Sequence, residues 1–228
     1  MSSSKRFSNP SGTHNAIIGT IIHSIGYGNV EIIERGMLVY DDNGVIEKVI
    51  DLRKHAAEEA TLRQFRHVHD FAEKFIIPGF IDAHCHAPQY VFTGTGMDLP
   101  LLAWLEKHTF PCEARFANLD FARSPYEKSI TRHLKCGTTF ASYFATIHND
   151  ACKILVDVIT NVGQRAFVGK VNMDRNSPDS YIEETNDGCD KAEEFVKYVL
   201  SRTEQGQNFL TSIGESVTEP PTFGSEQR

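Results

Sequence analysis

The chain has 228 residues, 40% of them hydrophobic, and a formal net charge of −7. That length supports a sizeable core in one or two domains. Acidic and basic residues are interspersed without a basic stripe to neutralise phosphates, which argues against a nucleic-acid partner; no apolar run approaches the ~20 residues of a membrane span, which argues against membrane insertion.

Residues 1–11 are polar, with Lys5 and Arg6 but no following apolar stretch, and are expected to be a disordered N-terminus without a secretory signal. The five cysteines (Cys85, Cys112, Cys136, Cys152, Cys189) are odd in number and lack a Cys-x-x-Cys pair, which predicts reduced thiols and a cytoplasmic setting. Residues 12–74 read as part of a small β-sandwich domain. NAIIGTIIHS, NVEIIERGMLVYD and GVIEKVID are β-like, with Gly26, Gly28, Asn43 and Gly44 as turn residues and Asp42-Asn43-Gly44 as a hairpin signal. A charged helix is expected over residues 52–64.

From residue 75 to 202 the pattern alternates. Strands are predicted over 76–84, 138–146 and 165–174, and helices over 121–135, 150–162 and 189–202. Such βα repetition implies an α/β fold with a parallel sheet, here the first three βα units of an incomplete (β/α)8 barrel, whose eight units need ~250 residues. Residues 203–228 are rich in Ser, Thr, Glu and Gln, include Pro220-Pro221, and are expected to be a disordered, divergent tail. Their one apolar patch, Phe209, Leu210 and Ile213, is expected to be too short for a fourth unit.

The chemistry concentrates in FIIPGFIDAHCHAPQY, residues 75–90. Along a regular strand Asp82, His84 and His86 share one face, while Ala83, Cys85 and Ala87 share the other. Two imidazoles at this spacing, near the C-terminal end of a barrel strand, can share a divalent ion; the same pattern also occurs as two histidines satisfied by hydrogen bonds. Asp82, one step deeper, is placed for an outer hydrogen bond. Cys85, on the other face, is not the expected third ligand. His148 follows the second strand and is a weaker site candidate. His108 and His133 are assigned structural roles, Leu101, Leu102, Trp104 and Leu105 an apolar packing role, Cys112 and Cys136 packing roles, and Glu193-Glu194 a solvated helix face.

PGFIDAHCH resembles the first-strand motif of the amidohydrolase superfamily, whose members join a metal-bearing (β/α)8 barrel to a small β-sandwich. HAPQYVFTGTGMDLPLLAWLEKHTFPCEARF, YFATIHND and GQRAFVGKVNMD resemble, in order and spacing, segments of the guanine deaminases within that superfamily. The likeness runs from about Ile17 to Arg202. It implies hydrolytic deamination of guanine to xanthine and ammonia with Zn2+, and possible homodimers. By position, His84 and His86 match zinc ligands, and His86, Ala87, Pro88 and Gln89 match residues lining the substrate pocket. Gln89 can donate to and accept from a guanine edge at once. In the family the further ligands, a proton-shuttling glutamate and an Arg-Phe pair come from later strands, so no catalytic residue is assigned. The chain is expected to be a truncated form, inactive alone; the alternative is a non-catalytic isoform that partners the full-length subunit.

Overall fold

A computed structural model describes residues 5–204 and 210–212. The chain divides into two compact units that part in sequence between Pro78 and Gly79.

The first unit is one five-stranded sheet in the order β1 (Lys5–Ser8), β5 (His67–Ile76), β2 (Asn15–Gly26), β3 (Asn29–Tyr40), β4 (Ile46–Asp51). β2 and β3 form a long antiparallel hairpin closed by Tyr27-Gly28, with Gly28 at φ 72°, a conformation that favours glycine. Alternation puts Ala16 and Ile18 on one face with Met37 and Val39, and this row packs with Leu52 and Val68 as the core of the unit. The link from β3 to β4 is longer than a two-residue turn: Asp41 accepts the N–H groups of Asn43 at 2.9 Å and Val45 at 2.8 Å.

Two expectations for this unit are corrected. Lys5–Ser8, assigned to a disordered N-terminus, pair antiparallel with His67–Asp70, because an open sheet edge supplies backbone partners that no local propensity reveals. The helix expected over 52–64 contracts to one turn, Ala56–Glu59, and a 3-10 turn, Leu62–Gln64. Leu52 is already taken into the sheet core, and a charged segment without an apolar stripe has little to hold it helical.

In the second unit four parallel strands run in the order β6 (Phe80–His86), β7 (Thr138–Phe144), β8 (Arg165–Gly169), β9 (Leu210–Ser212). Helices α1 (Leu119–Lys135), α2 (Asn149–Val162) and α3 (Thr185–Glu204) follow β6, β7 and β8. Tyr126 and Ile130 of α1, Leu155 and Ile159 of α2, and Phe195 and Val199 of α3 pack with Ala141, Tyr143, Ala166 and Val168 of the sheet. Asn118 caps α1 by accepting the Phe121 N–H at 3.1 Å, and Gly163, at φ 80°, ends α2.

The boundaries differ from expectation for physical reasons. Ile76 belongs to β5 of the first unit, so β6 starts at Phe80 and the division falls at Pro78 rather than residue 74. A Cβ on Gly79 would lie 2.0 Å from Thr139 Oγ1, so the chain enters the sheet closely enough to require glycine. β8 ends at Gly169, not Asp174, because Lys170 turns into a buried ion pair. Leu210–Ser212, placed in the disordered tail, pair with Ala166–Val168 as a fourth parallel strand; three residues suffice when an open edge supplies the ladder. Thr203 and Glu204, also placed in that tail, close α3, and the rest of the expected tail, residues 205–209 and 213–228, lies outside the described residues.

Candidate functional site

The Nε2 atoms of His84 and His86 converge to 3.1 Å at the C-terminal end of β6. Both rings rest on Phe144 at the end of β7, at centroid distances of 4.5 and 5.1 Å. Bonds of ~2.0–2.1 Å to a tetrahedral ion put two donors roughly 3.3 Å apart, so this pair fits two corners of such a site. Burial, and then the neighbouring His84, hold the His86 imidazole down to a pKa of about 4, which keeps its lone pair free for an ion at neutral pH.

The expected three-residue face is broken. Between Asp82 and Cys85 the register against β7 slips, so that Asp82 faces Ala141 and Cys85 faces Tyr143, three residues against two. This bulge resets the alternation. Asp82 accepts the His84 N–H at 3.1 Å and turns its other carboxylate oxygen to His133 Nε2 of α1, 3.2 Å away. Asp82, Cys85 and His133 each present a donor atom, all within 4.8 Å of one another. Asp82 is thus grouped with the cysteine and not with the histidine pair. His133, expected to be structural, belongs to this second cluster.

Of the residues expected to line a pocket, Ala87 and Pro88 are buried. His86 and Gln89 line a cavity of about 290 Å3 with Cys85, Trp104, Arg132 and His133. Gln89 Nε2 donates to Glu113 Oε1 at 3.2 Å, and Tyr181 Oη donates to Glu113 Oε2 at 2.6 Å. Glu113 was not singled out in the sequence, although a lone carboxylate among Phe110, Cys112 and Phe116 carried a signal. Trp104 Nε1 donates to the Thr95 carbonyl at 2.8 Å. Leu101 and Leu102, expected to pack, are exposed, as is Cys136, which borders the cavity. His148 rests against Thr146 Oγ1 and the Tyr181 ring. Glu193 and Glu194 are exposed, as expected, and Glu194 also takes a 2.6 Å contact from Lys153 that ties α3 to α2.

Residues 75–226 match the Amidohydrolase family profile, two thirds of the chain. The chain belongs to the amidohydrolase family. The match continues past Arg202, where the resemblance was expected to stop. Among curated relatives, the amidohydrolase is 46% identical over 194 residues to guanine deaminase of Dictyostelium discoideum, covering 81% of this chain and 43% of that protein. It is 42% identical over 192 residues to guanine deaminase of Homo sapiens, covering 81% of this chain and 41% of that one. A crystal structure of guanine deaminase from C. acetobutylicum with bound guanine superposes with a TM-score of 0.76 at 33% identity, covering 88% of this chain and 45% of that one. The amidohydrolase therefore spans less than half the length of the relatives it matches. Its family and its grouped donor atoms support a metal cofactor. Among the described residues, no helix is long and apolar enough to cross a membrane.

Proposed function

We propose that this amidohydrolase carries the two-histidine part of a zinc site for the hydrolytic deamination of guanine to xanthine and ammonia. The observation that carries the proposal is the 3.1 Å convergence of His84 and His86 at a strand end, in a chain 46% identical to a guanine deaminase. When bound, zinc supplies Lewis-acid activation of water for attack on the purine carbon that bears the amino group. His84 and His86 hold the ion, and Phe144 fixes their rings. Buried Ala87 and Pro88 set the backbone that carries Gln89 to the purine. Glu113 occupies one N–H of the Gln89 amide, which leaves its carbonyl oxygen and second N–H for the purine edge.

A catalytic zinc takes about three protein ligands and a water. Among the described residues, no third His, Cys, Asp or Glu joins His84 and His86 in a group of donors within 4.8 Å. The 228-residue chain alone is accordingly proposed to give no turnover. The test is complementation. The chain is mixed, with zinc, with the remaining portion of the Dictyostelium discoideum enzyme, and xanthine is followed by absorbance. Xanthine production that His84→Ala abolishes supports the proposal, whereas none from a complex shown to form overturns it; zinc-dependent turnover by the chain alone overturns the inactivity. A second reading, a non-catalytic partner of another subunit, is favoured by Phe80 and Ile81 of β6, which are 58% and 72% exposed.

A further inference from the structure

The face of β6 that meets α1 carries a cluster whose donor atoms are distinct from those of the His84–His86 pair, and its hydrogen bonds can be followed proton by proton. Gln164 Nε2 donates to the Thr138 carbonyl at 2.9 Å, so Gln164 Oε1 is the atom that receives the Tyr143 hydroxyl proton at 2.7 Å. The Tyr143 oxygen has then spent its only proton. It lies 2.7 Å from His133 Nδ1 and must accept there, which places the hydrogen of a neutral His133 on Nδ1. The other ring nitrogen, Nε2, is left with a bare lone pair facing the Asp82 carboxylate at 3.2 Å. Two acceptors at that distance repel unless a positive charge lies on or between them.

A plain ion pair would engage only His133 and Asp82, whereas a cation would also engage the Cys85 sulfur, whose donor atom lies within 4.8 Å of both. We propose that Asp82, Cys85 and His133 form a second site, for a divalent cation of the zinc class, that clamps β6 to α1. The three donors lie within 4.8 Å of one another, and a carboxylate, a thiolate and an imidazole are a donor set suited to zinc. The carboxylate and thiolate charges cancel the charge of the ion. A histidine that donates its remote N–H to a fixed acceptor, as His133 does to Tyr143, is the usual orientation of a metal-bound imidazole. Coordination would displace the Cys85 thiol proton, so the sulfur would bind as a thiolate. The cavity bordered by Cys85 and His133 gives water access to a fourth position.

Cobalt(II) titration of the full chain, under a non-thiol reductant, tests this independently of the zinc role of His84 and His86. A thiolate-bound cobalt absorbs in the near ultraviolet by sulfur-to-metal charge transfer, and a two-histidine site does not. The band is expected in the wild type, in the His84→Ala/His86→Ala double variant and in Cys136→Ser. It is expected to vanish in Cys85→Ser and to need at least ~10-fold more cobalt in His133→Gln. No band in the wild type, a band that survives Cys85→Ser, or one that Cys136→Ser abolishes overturns the site. Mapped alkylation of the unsubstituted chain gives a second readout that no folding defect can obscure: zinc protects Cys85 and a chelator exposes it, and equal Cys85 labelling in both conditions overturns the site.

Discussion

His84 and His86 bring their Nε2 atoms to 3.1 Å at the C-terminal end of β6, with Phe144 beneath both rings. The geometry makes the two imidazoles one unit. Replacing either by alanine removes half of the converging donor set, and His84→Ala is expected to weaken zinc binding at this pair by at least ~100-fold. Competition against a chromogenic chelator, in a Cys85→Ser background, measures it; an unchanged affinity would show that the ion binds elsewhere.

Glu113 joins two segments through its two oxygens, accepting from Gln89 at 3.2 Å and from the buried Tyr181 hydroxyl at 2.6 Å. Glu113→Ala removes the acceptor of the buried Tyr181 hydroxyl proton. We expect a loss of about 2–4 kcal/mol, read as a lower denaturant midpoint, with Glu113→Gln costing less because its carbonyl can still accept. Equal losses in the two variants would mean that volume, not hydrogen bonding, matters here.

Lys170 and Glu183 form a buried ion pair just past β8, with Nζ 2.8 Å from both carboxylate oxygens and 2.6 Å from Asn172 Oδ1. The side chains are 1% and 6% exposed. Lys170→Met strands a buried carboxylate and is expected to cost about 3–5 kcal/mol, while Lys170→Met/Glu183→Leu is expected to recover much of the loss. A double-mutant cycle measures the coupling; additive effects would contradict this account.

His148 is half-buried against Thr146 and Tyr181, and burial, then Lys170 and Lys191, hold its imidazole below the ordinary range. In the unfolded chain it titrates near ~6.5. The folded state thus binds fewer protons there. This contribution to stability is fully present above about pH 6.5 and is lost progressively as pH falls from the unfolded value through the lower folded one. His148→Gln is expected to flatten the decline of the thermal midpoint between about pH 7 and pH 5. His86, held to about 4, acts in the same direction and is untouched by that substitution. An identical slope in both proteins would contradict the assignment.

The alternation of strands and helices in the second unit was legible, because each helix carries an apolar face of 3.6-residue period and each strand an apolar run. The His84–His86 pairing was legible for the same reason: residues two apart on a strand share a face. Asp82 keeps the expected outer hydrogen bond, to the His84 N–H, but its face was misplaced because a bulge adds one residue to the count, and a bulge depends on the neighbouring strand. His133 and Glu113 acquire their roles from residues 51 and 68 positions away, Asp82 and Tyr181. β1 and β9 were missed because both are short and polar in part, and a sheet edge orders them. The helix expected over 52–64 failed in the opposite sense: its residues favour a helix, but no apolar face docks it.

Zinc content after equilibrium dialysis of the Cys85→Ser chain, with and without His84→Ala/His86→Ala, tests the central claim most directly. With the Asp82–Cys85–His133 group disabled, the account predicts about one zinc per chain when both histidines are present and none when both are replaced. Equal zinc in the two proteins would contradict it.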